Sequence, residues 1–218
     1  MKTNSVIEKN YQFRQRLNQV HVPNRRNVNA APMAGEWMIE NGWRIIINAS
    51  ASTLTVNTAR DLQDYLFTSM QISVLVIKTG NLAKACKDQR SAVILGTRAD
   101  LRALGGQVTR PGSYRLLCAS GHVIICGHNE RGVSQGAFYL EDLMNLREAP
   151  ILRNRDEVRE PLFSPRMVHS GWGLDQFPDS HLNAMAHHGF DSILVFARGV
   201  DHTTQGYLDF NDLVERAA

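Results

Sequence analysis

The segment from Pro161 to the last residue alternates between strand and helix patterns, and this alternation limits the folds that the chain can adopt. Apolar, β-rich runs at Pro161–Trp172 and Ser192–Ala197 predict two strands. A helical pattern follows each run, at His181–Gly189 and from Leu208 onward. Parallel strands that alternate with helices are covered on both faces, and a closed (β/α)8 barrel needs eight such units and roughly 250 residues. We therefore expect the first two βα units of a truncated barrel.

Residues 36–150 carry the patterns of a smaller domain that mixes strands with helices. Asn41-Gly42 lies between two β-rich runs, Glu36–Glu40 and Trp43–Ala49, and it predicts a hairpin because these turn residues adopt positive φ readily. Two short apolar strands and a second hairpin follow. The order of the predicted elements describes an α+β layer, in which a small antiparallel or mixed sheet carries helices on one face.

Periodic apolar residues predict two longer helices in this domain. Thr58 and Asp61 fit a capping box at the start of the first helix, and the second covers Asn129–Arg147. The polar, lysine-bearing segment Asn81–Arg90 predicts a loop. The apolar residues at helical spacing, which we expect in the core, are Ala59, Leu62, Leu66 and Met70 in the first helix and Val133, Ala137, Leu140 and Met144 in the second.

The three cysteines predict neither a disulfide framework nor a metal site, because their number is odd and their spacing irregular. Ser113–Ala119 and His122–Cys126 make the second predicted hairpin, in which Cys118 faces Val123. Side chains alternate along a strand, so Cys118 and Cys126 should be buried, free thiols on opposite faces of the sheet. The glycine-rich segments match no phosphate-binding motif. We therefore predict no metal and no cofactor.

The net charge of +3 is concentrated in the first part of the chain. Residues 1–35 hold six basic residues and one acid, which gives +5 and leaves −2 for the remainder. A basic extension without interleaved aromatic residues is typical of a solvated arm, so we expect no nucleic-acid partner. No apolar run approaches the roughly 18 residues of a membrane span, and the first residues lack the apolar core of a secretory signal. These features predict a cytoplasmic protein with no membrane partner.

A hairpin followed by a glycine-led helix gives residues 112–147 a more specific pattern. The hairpin positions that carry it are Tyr114, Leu116, Gly121, Val123 and Ile125, and the helix positions are Gly136, Ala137, Phe138, Tyr139, Leu140, Leu143 and Leu146. This pattern resembles the end of the small α+β domain that precedes the catalytic barrel of family 20 glycoside hydrolases, the β-N-acetylhexosaminidases. Family 67 α-glucuronidases carry a similar domain.

The junction after this domain is also similar to that of the same enzymes. Residues 161–166 (PLFSPR) take the place of the proline- and arginine-bearing segment that begins the first barrel strand. Two departures indicate a divergent branch. Met167-Val168-His169 replaces the apolar run that usually follows the arginine, and Ala197-Arg198-Gly199 replaces a His-x-His after the second strand.

Composition and resemblance together divide the chain into four parts. They are a basic extension at 1–35, a hexosaminidase-type α+β domain at 36–150, a linker at 151–160 and the start of a barrel at 161–218. Glycosidases use a pair of carboxyl groups or one carboxyl and a substrate acetamido group, and the resemblance places these acids beyond the fourth strand. The resemblance thus implies a non-catalytic part of a glycoside hydrolase, inactive alone, which supports the barrel and adds to a sugar subsite. We assign no catalytic residue.

Five residues are predicted to contact the sugar. The resemblance carries over Arg166, because the first-strand arginine of hexosaminidases donates to sugar hydroxyls and a guanidinium can fork two of them. His169 and Trp172 follow the first strand, and Arg198 and Asp201 follow the second, on the face where barrel active sites form. A structural role for each of these residues stays open.

A second hypothesis treats the α+β domain as a free-standing carbohydrate-binding or protein-interaction module. The two hypotheses differ in geometry. Parallel, adjacent strands at 164–172 and 192–197, with Arg166 and Arg198 toward one end, favour the barrel, whereas a segment 161–218 that joins the first sheet excludes it. In the barrel hypothesis the partner is a carbohydrate substrate, and the exposed strand edges favour self-association.

Overall fold

The computed structural model describes residues 19–119, 121–169, 177–195 and 210–217. The chain divides into two compact units. The larger unit spans His21–Leu162, and the smaller one takes in Met1–Val20 and Phe163–Ala218. The described residues of each unit contain a hydrophobic core of their own.

The described part of the larger unit contains strands and helices in alternation. The strands are β1 (Glu36–Met38), β2 (Arg44–Asn48), β3 (Leu75–Thr79), β4 (Ala92–Thr97), β5 (Tyr114–Ala119), β6 (His122–Gly127), β7 (Ile151–Arg153) and β8 (Arg155–Arg159). The helices are α1 (Thr53–Thr68), α2 (Leu82–Asp88), α3 (Arg102–Gly105) and α4 (Glu130–Arg147).

Six of these strands form one mixed sheet in the order β3-β2-β4-β6-β5-β8. The first four run parallel to one another, whereas β5 is antiparallel to both β6 and β8. β1 and β7 form a separate antiparallel pair. The prediction of an α+β chain with a mixed sheet is therefore confirmed.

The hairpin predicted at Asn41-Gly42 is wrong. Gly42 has the positive φ of 84° that the turn requires, but β1 pairs with β7, and β2 pairs in parallel with β3 and β4. Ile45, Ile46 and Ile47 are all buried, so β2 needs cover on both faces and a neighbour on each side. A central parallel strand satisfies that need, and a two-stranded hairpin does not.

The second predicted hairpin is confirmed, with β5 paired to β6 in the expected register. Cys118 lies opposite Val123, and Cys126 lies opposite Arg115. Both cysteines are free and buried, and they belong to cores on opposite faces of the sheet. Burial raises the pKa of the Cys118 thiol to about 12 and that of Cys126 to about 11, so both stay protonated near neutral pH.

Helices cover both faces of the sheet, which corrects the prediction of helices on one face. α1 and α4 pack with Ile45 and Ile47 on one face. Ile46 points the other way and packs with apolar residues of α2 and α3. The three consecutive isoleucines of β2 indicate that both faces of the sheet are covered, because neighbouring side chains of a strand point to opposite faces.

The segment Asn81–Arg90 contains α2, although its composition predicts a loop. The Asn81 side chain caps this helix by accepting a hydrogen bond from the Lys84 backbone N–H at 2.9 Å. Leu82 and Ala85 are buried against the second face of the sheet. The side-chain cap and the two buried apolar residues thus stabilise this short helix, and its lysines are exposed to solvent.

The core faces of the two long helices are as predicted, and all eight named core residues are buried. α1 nevertheless begins earlier than the capping box at Thr58 predicts. The Ser52 hydroxyl accepts from the Thr55 N–H at 3.3 Å and caps the helix. Thr58 lies inside α1, where its hydroxyl donates to the Leu54 carbonyl at 2.8 Å.

Residues 151–160 are part of the sheets rather than a linker. Ile151 and Leu152 are buried in β7, and β8 is the outer strand beside β5. Arg115 donates to both carboxylate oxygens of Asp156, each at 2.7 Å. The dense charge that suggests a linker is typical of an edge strand, where alternate side chains face solvent.

Helix α4 approaches the sheet so closely that two of its glycines have no room for a side chain. A Cβ at Gly132 would meet the backbone carbonyl oxygen of Ser113, and one at Gly136 would lie 2.5 Å from Cγ2 of Ile125. The Ser113 carbonyl also accepts from the His128 N–H at 2.8 Å, so it cannot move freely. Close backbone approach therefore requires glycine at these positions.

We predict that Gly132→Ala destabilises the protein by roughly 1–3 kcal/mol, because the new methyl group meets fixed backbone. In an open helix position the same change stabilises by about 0.5–1 kcal/mol. Gly106→Ala is the matched control, since nothing lies within 4 Å of its Cβ position. Urea denaturation of both variants measures the effect. Equal stability of the two would contradict the packing of α4 on the sheet.

Glu36 at the start of β1 ties three segments together. Its carboxylate accepts from the Met33 N–H at 2.9 Å, from Arg147 of α4 at 3.1 Å and from Arg153 of β7 at 3.0 Å. The Met33 N–H and the two guanidinium groups lower the pKa of Glu36 from 4.5 to about 2. The side chain is 3% exposed, so the carboxylate is buried among these partners.

The lowered pKa of Glu36 predicts a pH dependence of stability. The ionised form is favoured in the folded state, so its contribution is complete above pH 4.5 and is lost as the pH falls toward 2. Glu36→Gln should lower the midpoint of urea unfolding at pH 7, and its difference from the parent should shrink between pH 4.5 and 2. Glu40→Gln, at an exposed position, is the control. A difference that stays constant with pH would contradict the network.

The described part of the smaller unit contains a βαβ arrangement. β9 (Met167–His169) and β10 (Ser192–Leu194) pair in parallel in a sheet of their own. α5 (Asp179–His187) lies between them in sequence, and α6 (Phe210–Ala217) follows. Its core contains Phe177, Leu182, Met185 and Leu213. Among the helices of the described residues, none combines the length and the apolar character that a membrane span needs.

Candidate functional site

Arg166 immediately precedes β9 and lies at the amino-terminal end of the β9–β10 pair. Its backbone N–H donates to Oδ1 of Asp191 at 2.9 Å, and its Nε lies 3.9 Å from Oδ2 of the same carboxylate. The Arg166 carbonyl accepts from the N–H groups of Asp191 and Ser192. A quarter of the arginine side chain is exposed, whereas the Asp191 side chain is buried. Asp191 therefore holds the backbone of Arg166 by a hydrogen bond and lies beside its Nε.

Sequence reasoning missed Asp191, although the strand register identifies it. Ser192 of β10 lies opposite Met167 of β9, so the residues that precede them, Asp191 and Arg166, become neighbours. A signal was present in the sequence, since the basic Arg166 stands immediately before the first strand and the acidic Asp191 stands immediately before the second. Only the parallel pairing brings the two together.

His169 lies at the opposite end of β9, where it pairs with Leu194 at the carboxyl end of β10. The histidine is exposed. Trp172, Arg198 and Asp201 fall outside the described residues, so the placement of Arg166 and Arg198 toward one end stays a prediction. The structure thus places two of the five predicted residues, at opposite ends of one short strand, and does not bring them together.

A second candidate site lies in the larger unit, where the carboxyl ends of β2 and β4 meet. The chain leaves β2 for β3 on one side and later returns to form β4 on the other side of β2. Such a reversal of strand order opens a crevice at the carboxyl edge of a parallel sheet, and ligands of open α/β sheets bind there. Here the crevice has a volume of about 150 Å³. Its walls include the first turns of α1 and α4.

This crevice, which we call the switch-point pocket, is lined mainly by polar side chains. They are Asn48, Ser50, Ser52, Thr55, Thr97, Asp100 and Glu130. Asn48 Nδ2 donates to Asp100 Oδ1 at 2.7 Å, and Asp100 Oδ2 accepts from the backbone and side chain of Thr97. The pocket offers hydroxyl, amide and carboxylate groups, which suit a small, hydroxyl-rich ligand. Sequence analysis missed it because polar residues at strand ends resemble ordinary loops.

A third group of functional side chains surrounds His21. Its Nδ1 lies 2.7 Å from Asp64 Oδ2, and its Nε2 lies 3.6 Å from Asp61 Oδ2 and 3.8 Å from Glu141 Oε2. Burial disfavours the charged imidazole, but the bonds to Asp61 and Asp64 and the charge of Glu141 outweigh it and raise the pKa of His21. One imidazole and several carboxylates form a set that can hold a metal ion.

No protein-family model matches the sequence, and no curated protein sequence matches it either. Solved structures do match the fold. A family 20 β-N-acetylhexosaminidase from Streptomyces coelicolor A3(2) matches 80% of this chain with a TM-score of 0.55 and 14% identity. A Streptomyces plicatus β-hexosaminidase, a mutant with product N-acetylglucosamine, matches 78% with a TM-score of 0.53 and 14% identity. A family GH115 4-O-methyl-α-glucuronidase with specificity for decorated arabinogalactans matches 72% with a TM-score of 0.53 and 11% identity.

The chain covers only part of each of these structures. Its share is 34% of the Streptomyces coelicolor enzyme, 36% of the Streptomyces plicatus enzyme and 25% of the glucuronidase. At identities this low the comparison establishes a shared fold. The resemblance predicted from the sequence is therefore confirmed at the level of the fold.

Proposed function

We propose that this chain is a non-catalytic part of a carbohydrate-active glycoside hydrolase. In this proposal the larger unit supports a catalytic barrel, and residues 161–218 supply the first two βα units of that barrel. The fold shared with two β-hexosaminidases and a glucuronidase supports it, since all three are glycosidases. The carbohydrate is the partner of the complete barrel.

The observation that carries the proposal is the parallel pairing of β9 with β10. These strands form their own sheet and do not join the six-stranded sheet of the larger unit. A helix, α5, separates them in sequence, as in the repeating unit of a barrel. If residues 161–218 had extended the first sheet, the barrel hypothesis would have failed.

In this proposal two groups of residues can contact a sugar: those that follow the two strands, and Arg166 at the opposite, amino-terminal end of β9. His169, Trp172, Arg198 and Asp201 follow the strands at the end where barrel active sites form. Arg166 has its Nε side toward Asp191, which leaves the two Nη groups to donate to sugar hydroxyls. Asp191 would then hold the backbone of Arg166 and place a negative charge 3.9 Å from its Nε.

The exposed apolar residues of the two short strands favour a covering partner. Met167 is 49% exposed and Leu194 is 46% exposed. A two-stranded sheet is marginally stable alone, and open strand edges pair with other strands. Further barrel strands, or a second copy of this chain, would cover them.

An alternative function is a free-standing carbohydrate-binding or protein-interaction module. The switch-point pocket favours this alternative, because it places polar groups in the larger unit at a position where α/β sheets bind ligands. In that case the sugar would contact Asn48 and Asp100 rather than Arg166.

We predict that the 218-residue chain does not hydrolyse p-nitrophenyl N-acetyl-β-glucosaminide or p-nitrophenyl α-glucuronide. The carboxyl groups that these reactions require belong to later barrel strands in the proposal. Release of p-nitrophenol measures the reaction, and an active hexosaminidase is the positive control for the first substrate. Hydrolysis faster than in buffer alone would contradict the proposal if the activity co-purifies with the chain through several columns.

Binding of N-acetylglucosamine, followed by saturation-transfer NMR, separates the two functions. The proposed subsite predicts that Arg166→Gln weakens binding at least about tenfold and that Asp100→Asn leaves it unchanged. The alternative predicts the reverse. Asp191→Asn keeps the guanidinium but removes the carboxylate beside it, so it should weaken binding less than Arg166→Gln. Undetectable binding by the parent chain would overturn the sugar subsite.

A further inference from the structure

Two helices of the larger unit bring three carboxylates to His21. His21 lies in the segment before β1, Asp61 and Asp64 lie on α1, and Glu141 lies on α4. We call these four residues the His21 cluster. The side chains of His21 and Glu141 are 9% and 3% exposed and that of Asp61 is 20% exposed, whereas Asp64 lies at the surface with 63% exposure.

The distances in the cluster fit a shared metal ion. The possible ligand atoms, which include His21 Nε2, Asp61 Oδ2 and Glu141 Oε2, lie within 4.8 Å of one another. The imidazole nitrogen is 3.6 Å from the first oxygen and 3.8 Å from the second. Ligand atoms that bind one Zn²⁺ at about 2.0–2.2 Å stand roughly 3.3–3.6 Å apart in a tetrahedral site. The two distances from Nε2 lie within a few tenths of an ångström of this spacing.

The other nitrogen of His21 supplies a second, independent indication. Its Nδ1 lies 2.7 Å from Asp64 Oδ2, a hydrogen-bond distance. A histidine that binds a metal through one nitrogen almost always donates the other N–H to a carboxylate, a carbonyl or water. That bond fixes the tautomer and directs Nε2 toward the ion. In this cluster it directs Nε2 toward Asp61 and Glu141.

The backbone that carries these ligands is already held in place. The Tyr65 hydroxyl donates to the Glu141 carbonyl at 3.1 Å and to Asn145 at 2.9 Å, which fixes α1 against α4. The ring of Tyr65 also contacts the His21 ring edge-on, with 5.6 Å between centroids. Rigid neighbours of this kind keep metal ligands in position at low entropic cost.

We propose that the His21 cluster is a binding site for a divalent transition-metal ion, with Zn²⁺ as the preferred ion. His21, Asp61 and Glu141 are the protein ligands, and Asp64 is the positioning residue. Imidazole and carboxylate together suit Zn²⁺ and its neighbours better than the hard cations Mg²⁺ and Ca²⁺, which prefer oxygen alone. The ion would join α1, α4 and the segment before β1, so its role is structural. This site does not depend on the proposed glycosidase function.

The test is a titration of the full 218-residue chain, stripped with chelator, with ZnCl₂ in a calorimeter. We expect one saturable ion per chain from the cluster. At free Zn²⁺ about a hundredfold above the Kd, the apparent Tm should rise by roughly 5–10 °C. Co²⁺ should give the visible absorption of a low-symmetry, four-coordinate ion. Absence of saturable Zn²⁺ binding would overturn the proposal.

Variants assign the binding to this cluster. His21→Gln and Glu141→Gln should abolish Zn²⁺ binding. Asp64→Asn should lower the affinity for Zn²⁺ by about 10–100-fold, because Asp64 orients the histidine without binding the ion. His122→Gln, outside the cluster, is the matched control and should leave the isotherm unchanged. Circular dichroism checks that each variant folds. Folded His21 and Glu141 variants that bind Zn²⁺ as the parent does would place the ion elsewhere and refute the site.

Discussion

The larger unit depends on the burial of both faces of its central parallel strands. β2, β4 and β6 each place apolar side chains alternately on the two faces, and helices must cover both. Burial of one isoleucine side chain stabilises the folded state by about 1.5–3 kcal/mol. Exposure of either face of the run Ile45–Ile47 would therefore destabilise the fold strongly. This requirement favours the parallel topology, because the helix that connects two parallel strands also packs on the face of the sheet and buries it. The crevice at the switch point is a by-product of that topology.

Helix α4 is the element through which most other parts of the larger unit are connected. Its glycines let the backbone approach the sheet, its Arg147 holds Glu36, and its Glu141 faces His21. The hydroxyls of Thr58 and Ser134, 2.7 Å apart, join it to α1. The helical part of the motif that resembles glycoside hydrolases lies on the same helix. Its Gly136 therefore belongs both to the motif and to the close packing of the helix on the sheet.

The smaller unit connects this fold with the proposed function. Its described part has a small core and a two-stranded sheet, with apolar side chains left exposed. A two-stranded sheet of this kind is marginally stable on its own. The ion pair between Arg166 and Asp191 shows how the strand register, rather than the motif, sets the environment of a candidate ligand-binding arginine.

The sequence by itself determined which segments form the long helices, which of their faces are buried and how the second hairpin is registered. These properties follow from periodicity and turn chemistry, which are local. Tertiary structure alone decided that β2 is a central strand and that residues 151–160 pair within sheets. It also decided that His21 meets Asp61 and Glu141. A pattern records that a side chain is buried, but the partner that buries it is distant in sequence, and only the packing of the whole unit selects it.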